Sequence, residues 1–219
     1  MKSVIFLVSG NGGNLKFIYQ AAKLLEIDLK IQHVIADRDC KAIEFAKNNA
    51  IQNTQIKYNS NSPNELDSIL KNASPSAVIT NIHKILSPTS IFPHHQYINL
   101  HYALLPSFKG LIGMEPLNEA KKLNCQFMGV TTHKVIEEVD SGPILQQGVF
   151  KVNWKRTESQ LHDTIFKVGS LILLNTILEG EGGAQQNRRQ INEEWVDFSD
   201  RFLFDWVALN KSMIWDFSK

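Results

Sequence analysis

The chain has 219 residues, 43% hydrophobic and 21% charged, and its 23 basic and 22 acidic residues leave a net charge of +1. Such a chain can bury a sizeable core and suits one large domain or one domain with an appendage, which excludes disorder. The balanced charge speaks against a nucleic-acid or membrane surface, while a local basic pocket for a phosphorylated ligand remains compatible with it.

Residues 3–8, SVIFLV, form a continuous apolar run of strand length. The run is too short for a secretory signal or a membrane span, so the expected location is cytoplasmic. A glycine-rich turn, GNGGN at 10–14, leads into apolar residues at helical spacing over 15–25. KIQHVIA at 30–36 predicts a second strand, and AIEFAKNNA at 42–50 a helix with Asp37 or Asp39 near its start. A weaker strand near 54–58 precedes a helix whose start is marked by Ser62, Pro63 and Glu65. SAVIT at 77–81 and YINLH at 97–101 are further buried strands. EPLNEAKKLN predicts a helix, CQFMGVTTHKVI at 125–136 a long strand, and PILQQGVFKV at 143–152 a strand antiparallel to it. Residues 158–178 predict a strongly amphipathic helix, and EGEGGAQQNRRQ at 179–190 a polar linker. The remaining residues hold three of the four tryptophans and are expected to pack back on the domain. The sharper alternative for them is a dimer or substrate-side surface. Cys40 and Cys125 predict neither a disulfide framework nor a metal cluster.

Strands alternating with helices predict an α/β fold of the doubly wound class, a mostly parallel sheet with helices on both faces. Ligands of such sheets bind beyond the carboxyl ends of the strands. Three features lie at such places. GNGGN presents backbone N–H groups beside a helix N-terminus, which suits a phosphate at Gly12, Gly13 and Asn14, or is simply a tight turn. Its spacing is neither G-x-G-x-x-G nor a P-loop. Asn99 and His101 project from one face of their strand, because side chains alternate, and close it beside a Pro/Gly loop. VIEEVDSGPI at 135–144 places Asp140 in a turn, where it is either a solvated acid or the partner that orients His101. Asn, His and Asp include no strong nucleophile. They suit polarising a carbonyl and moving protons between two bound substrates.

Together, VSGNGGNL (8–15), IHKILSP (82–88), INLHYALLPSFKGL (98–111) and EEVDSGPILQQ (137–147) resemble the folate-dependent formyltransferase family. That family's glycinamide ribonucleotide, methionyl-tRNA and sugar N-formyltransferases share a Rossmann-like catalytic domain. The resemblance spans roughly residues 1–178 and implies a catalytic domain over 1–180, with a linker and aromatic-rich tail over 181–219. It implies 10-formyltetrahydrofolate as donor, a primary amine as acceptor, and no metal. Asn99, His101 and Asp140 match the catalytic residues: Asn99 and protonated His101 would stabilise the oxyanion, and Asp140 would support the imidazolium. Folate would lie against Ile85, Leu86, Val135, Ile136 and Val139.

The acceptor is harder to read. The family's purine enzyme carries Pro-Ser after the histidine, where Tyr102 and Ala103 stand here. It carries a His where Ile112 stands, and a Glu-His pair at the positions of Gly169 and Ser170. Lost polar contacts at buried positions would each cost about 1–3 kcal/mol. The expectation is therefore a nucleotide-linked amino sugar as acceptor, with its phosphates at Gly12, Gly13 and Asn14 and Tyr102 lining its site, and with phosphoribosylglycinamide formyl transfer in purine synthesis as the alternative. A transfer RNA is not expected, since no barrel domain follows, and a homodimer is compatible. An inactive folate- or nucleotide-binding module and hydrolysis of formyl-folate are the readings of other kinds.

Overall fold

The computed structural model describes residues 1–59, 63–86, 95–179 and 186–217. These fold as two compact units, one of Met1–Asn99 with Asp205–Lys219, the other of Leu100–Phe204.

The first unit holds β1 (Lys2–Val8), α1 (Gly13–Leu24), β2 (Leu29–Ala36), α2 (Lys41–Asn48), β3 (Asn53–Gln55), α3 (Asn64–Lys71), β4 (Ala77–Asn81) and the start of β5 (Tyr97–His101). Its strands run in the order β3-β2-β1-β4-β5, all parallel. Val4, Ile5, Phe6 and Leu7 of the central β1 are 0% exposed, which is why the strand reads as an unbroken apolar run. Pro63 caps α3 as the sequence suggests, while Ser62 lies outside the described residues. The same unit takes in two short helices of the tail, Trp206–Lys211 and Ile214–Phe217.

The second unit holds α4 (Glu115–Lys122), β6 (Phe127–Lys134), β7 (Ile144–Lys151), α5 (Glu158–Glu179), β8 (Asn187–Ile191) and β9 (Glu194–Phe198). Here the order is β6-β7-β9-β8 with every pair antiparallel. The mostly parallel sheet of the sequence reading thus holds for the first five strands, and the strand complement as a whole is mixed. The antiparallel β6–β7 pair was legible because only a short turn joins its two strands.

Two expectations change. Strand β8 occupies residues 187–191, inside the stretch read as a linker, of which residues 180–185 lie outside the described residues. Its polar sequence, NRRQI, hides it, because an edge strand leaves half its side chains in water. Helix α5 is buried without a break from Val168 to Ile177 rather than amphipathic along its length, since β6, β7, β8 and β9 all border it. It has the length and apolarity of a membrane span, yet most of it is core.

The aromatic tail does pack back. Trp215 is 9% exposed and stacks on Phe17 of α1 at 4.7 Å in the first unit. Phe198, Phe202 and Phe204 form a ladder with 4.7 Å steps in the second. Cys40 and Cys125 are both free thiols.

Candidate active site

Strand β5 carries Asn99 and His101 on one face, two residues apart. The Thr80 hydroxyl, at the end of β4, lies 3.2 Å from the Ile98 carbonyl and 3.3 Å from Asn99 Oδ1. That contact orients the amide with Oδ1 toward Thr80. His101 is 5% exposed.

The loop after β5 is shaped from inside. Thr131 of β6, fully buried, donates its hydroxyl to the Ala103 carbonyl at 2.8 Å and accepts from Leu105 N at 3.0 Å. Gln147 of β7 donates to the Leu105 carbonyl and to Thr131 Oγ1, both at 3.1 Å. These bonds satisfy backbone groups that a buried irregular loop would otherwise leave unpaired. The loop then turns through Phe108 at φ 60° and Gly110 at φ 79°. Its Phe108 carbonyl points to His101 Nε2 at 3.0 Å.

Asp140 sits on the β6–β7 connection at φ 51°, a conformation that Asp tolerates better than most residues. Lys134 N donates to the Pro143 carbonyl at 2.9 Å and closes this turn. A Cβ at Gly142 would collide with the Lys134 carbonyl, so glycine is required where the two strands converge. Gly142→Ala is expected to spread the turn, destabilise the protein by about 1–3 kcal/mol and withdraw Asp140 from His101. Thermal denaturation of Gly142→Ala checks this; unchanged melting would dismiss the steric argument.

The turn delivers the carboxylate to two imidazoles. Asp140 Oδ2 lies 3.4 Å from His101 Nδ1 and accepts from Gly110 N at 2.8 Å. Asp140 Oδ1 lies 3.4 Å from His133 Nε2, whose other nitrogen, Nδ1, is 3.0 Å from the Lys134 carbonyl. The side chain of Asp140 is 8% exposed. Burial pushes its pKa up, but hydrogen bonds from His133 and the Gly110 amide, with the charge of His101, outweigh that and hold it below the usual carboxylate value. Burial holds His101 below the ordinary histidine value, offset in part by the Asp140 charge and the Phe108 carbonyl. Both nitrogens of His101 therefore face acceptors. A neutral ring can donate to one of them and an imidazolium to both. A second proton on the ring would find an acceptor at each nitrogen.

The structure thus brings Asp140 to His101, with Asn99 beside it on the strand. Sequence reasoning missed His133, Thr131 and Gln147. The signal for His133 was present, since it too is a polar residue near the end of a buried strand. Thr131 and Gln147 gave no signal, because only the folded loop shows what they bond.

The remaining residues stand as follows. Gly12 caps α1 at φ 71°, and a Cβ there would come within 2.8 Å of the Ala42 Cβ, so two constraints select glycine. Gly13 and Asn14 open α1, with no acidic residue in its first turn. Ile85 is 70% exposed and Leu86 buried; Val135 and Ile136 are half-buried, and Val139 is exposed. Ser87 and Pro88 of the IHKILSP motif lie outside the described residues. Tyr102 is half-buried, with its ring against Gly169 of α5. Ile112 is 52% exposed, so the loss of a polar group there is not the buried loss that the sequence reading assumed.

The chain is similar in sequence and in fold to known proteins. The family described as Formyl transferase matches residues 2–177. The fold is similar to glycinamide ribonucleotide transformylase 1 from Symbiobacterium toebii, with a TM-score of 0.72 and 26% identity over 81% of this chain and 86% of that one. It is also similar to phosphoribosylglycinamide formyltransferase from Bacillus halodurans, with a TM-score of 0.71 and 26% identity over 80% and 93% of the two chains. The chloroplastic phosphoribosylglycinamide formyltransferase of Arabidopsis thaliana is 28% identical over 172 residues, 73% of this chain and 59% of its own. A methionyl-tRNA formyltransferase of Lachnospira eligens is 34% identical over 111 residues, 50% of this chain and 34% of its own. This chain therefore spans less than two thirds of the length of those two curated relatives. With the family match covering most of the sequence and the same fold found in solved formyltransferases, the chain belongs to the formyl transferase family and is an enzyme of that family.

Proposed function

We propose that this enzyme transfers a formyl group from 10-formyltetrahydrofolate to the primary amine of glycinamide ribonucleotide. The observation that carries formyl transfer is His101, buried on the same strand face as Asn99 and backed by Asp140. The acceptor rests on two solved structures alike over 80–81% of this chain and a curated relative over 73% of it, each named for that substrate. The expected nucleotide-linked amino sugar loses ground for the same reason, and because Ile112 is exposed.

The donor's surroundings fit. In the second unit, exposed Val139 with half-buried Val135 and Ile136 suits a flat ring held partly by backbone groups. Bound there, the folate supplies a formyl carbon that the amine attacks, forming the new C–N bond as the bond to the folate nitrogen breaks. The chain's residues manage charge and protons. Asn99 Nδ2 donates to the formyl oxygen as negative charge develops on it. Neutral His101 takes the proton that the attacking amine sheds, and the imidazolium, paired with Asp140, returns it to the departing nitrogen. His101 Nε2 exchanges the Phe108 carbonyl for the reacting groups in that step. Protonated His101 is in this scheme the state reached during the reaction. The acceptor's phosphate lies at Gly12, Gly13 and Asn14, where α1 offers amides without a competing acidic side chain.

One observation favours the second reading, a nucleotide-linked amino sugar: the Tyr102 ring lies against Gly169, one of the two positions where the resemblance places the purine enzyme's Glu-His pair. Release of folate from 10-formyltetrahydrofolate with each acceptor decides between them. Turnover on glycinamide ribonucleotide is expected. Turnover only on UDP- or dTDP-linked amino sugars would replace it with the second reading. Formyl release without an amine would mean hydrolysis, and no release would mean a binding module.

A further inference from the structure

The glycine in the middle of α5 is unusual for a helix interior, where glycine is disfavoured and normally has a packing reason. The reason here is Tyr102. A Cβ at Gly169 would lie 2.9 Å from Tyr102 Cε1, 3.3 Å from Leu100 Cδ2 and 3.3 Å from Val130 Cγ1. All four residues belong to the second compact unit. Leu100 and Tyr102 alternate with Asn99 and His101, so their side chains leave the other face of the chain, toward α5. Ser170, next to Gly169, is fully buried. The helix therefore presents no side chain at this turn, and an aromatic ring seated in the notch presents its outer, half-exposed part instead, one residue beyond His101.

We propose that Tyr102 and Gly169 form a paired specificity element: the notch seats the ring, and the ring is the wall against which the acceptor's sugar packs. This rests on the reading of the acceptor as an amine borne on a phosphorylated sugar. Tyrosine suits the role because it offers an apolar face to the carbons of a sugar and a polar tip to its hydroxyls. A neutral wall replaces charged recognition from the helix, which shifts selectivity toward acceptors that do not require a carboxylate partner. Tyr102 touches the acceptor in this scheme and does not take part in proton transfer.

The test measures kcat and KM separately for donor and acceptor in Tyr102→Phe, Tyr102→Ala, Gly169→Ala and the double variant Tyr102→Ala/Gly169→Ala. The assays use 10-formyltetrahydrofolate with glycinamide ribonucleotide and with UDP- and dTDP-linked amino sugars. Tyr102→Ala is expected to raise the acceptor KM about tenfold, with the donor KM changed less than twofold, and Tyr102→Phe to keep most of the affinity. Gly169→Ala is expected to lower the melting temperature by displacing the ring. In the double variant melting recovers while the acceptor KM stays high, a split that a purely structural role would not produce. An acceptor KM unchanged in Tyr102→Ala, or donor and acceptor KM rising together, would overturn the pairing while leaving the proposed reaction intact. Wild-type enzyme that formylates none of these acceptors would overturn both, through the reading on which the pairing rests.

Discussion

His101→Ala is expected to lower kcat for formyl transfer by about 10²- to 10⁴-fold, the largest effect of any single substitution in this protein. The imidazole is assigned the proton transfer from the attacking amine to the departing nitrogen, and a positioned acid–base group typically contributes that much. The fold should survive. Asp140 keeps its bonds from the Gly110 amide and its contact with His133, so it is not stranded as a buried charge. Substrate KM values should change far less than kcat, because the side chain acts on charge that develops during the reaction. Single-turnover formyl transfer, read by release of tetrahydrofolate, checks this with melting measured alongside. Retention of more than a third of wild-type kcat would remove His101 from the mechanism.

Asp140→Asn is expected to lower kcat by about tenfold to a hundredfold, the range of a hydrogen bond to a charged group at about 1.5–3 kcal/mol. Its more telling effect is on the pH profile. Burial holds His101 below the ordinary histidine value, and the Asp140 charge pulls the other way. The reaction needs the ring neutral at the start, so kcat/KM should fall on the acid side as His101 becomes protonated in the free enzyme. Removing the Asp140 charge removes the influence that raises the histidine, so the acid limb should move to lower pH in Asp140→Asn. An acid limb that moves to higher pH, or does not move while kcat falls, would mean that Asp140 acts other than through His101. His133 shares the same carboxylate, and the loss of activity includes whatever that second imidazole contributes to holding Asp140 in place.

Each of these expectations uses residues that differ in how far the sequence exposed them. Asn99, His101 and Asp140 were legible because polar groups closing a buried strand, or standing in a D-x-G-P turn, conflict with the local pattern and so call for a reason. The glycine-rich turn was legible as the entry to α1, and the fold adds that Gly12 meets two constraints there at once. His133 carried the same signal, a polar residue near the end of a buried strand, and went unread, whereas β8 was hidden by its polar edge. The assumption that Ile112 is buried failed because exposure of a single loop residue follows from the path of the whole loop.

The sequence by itself determined the element order, the apolar centre at β1 and the family to which the chain belongs, since strand runs, helical spacing and short motifs are local properties. Tertiary structure alone decided what those elements meet. It set the antiparallel second unit, the Thr131 and Gln147 bonds that shape the loop after β5, and the second histidine on Asp140. It also decided that Gly169 is a seat for Tyr102, because a missing Cβ acquires meaning only from the ring that fills its place.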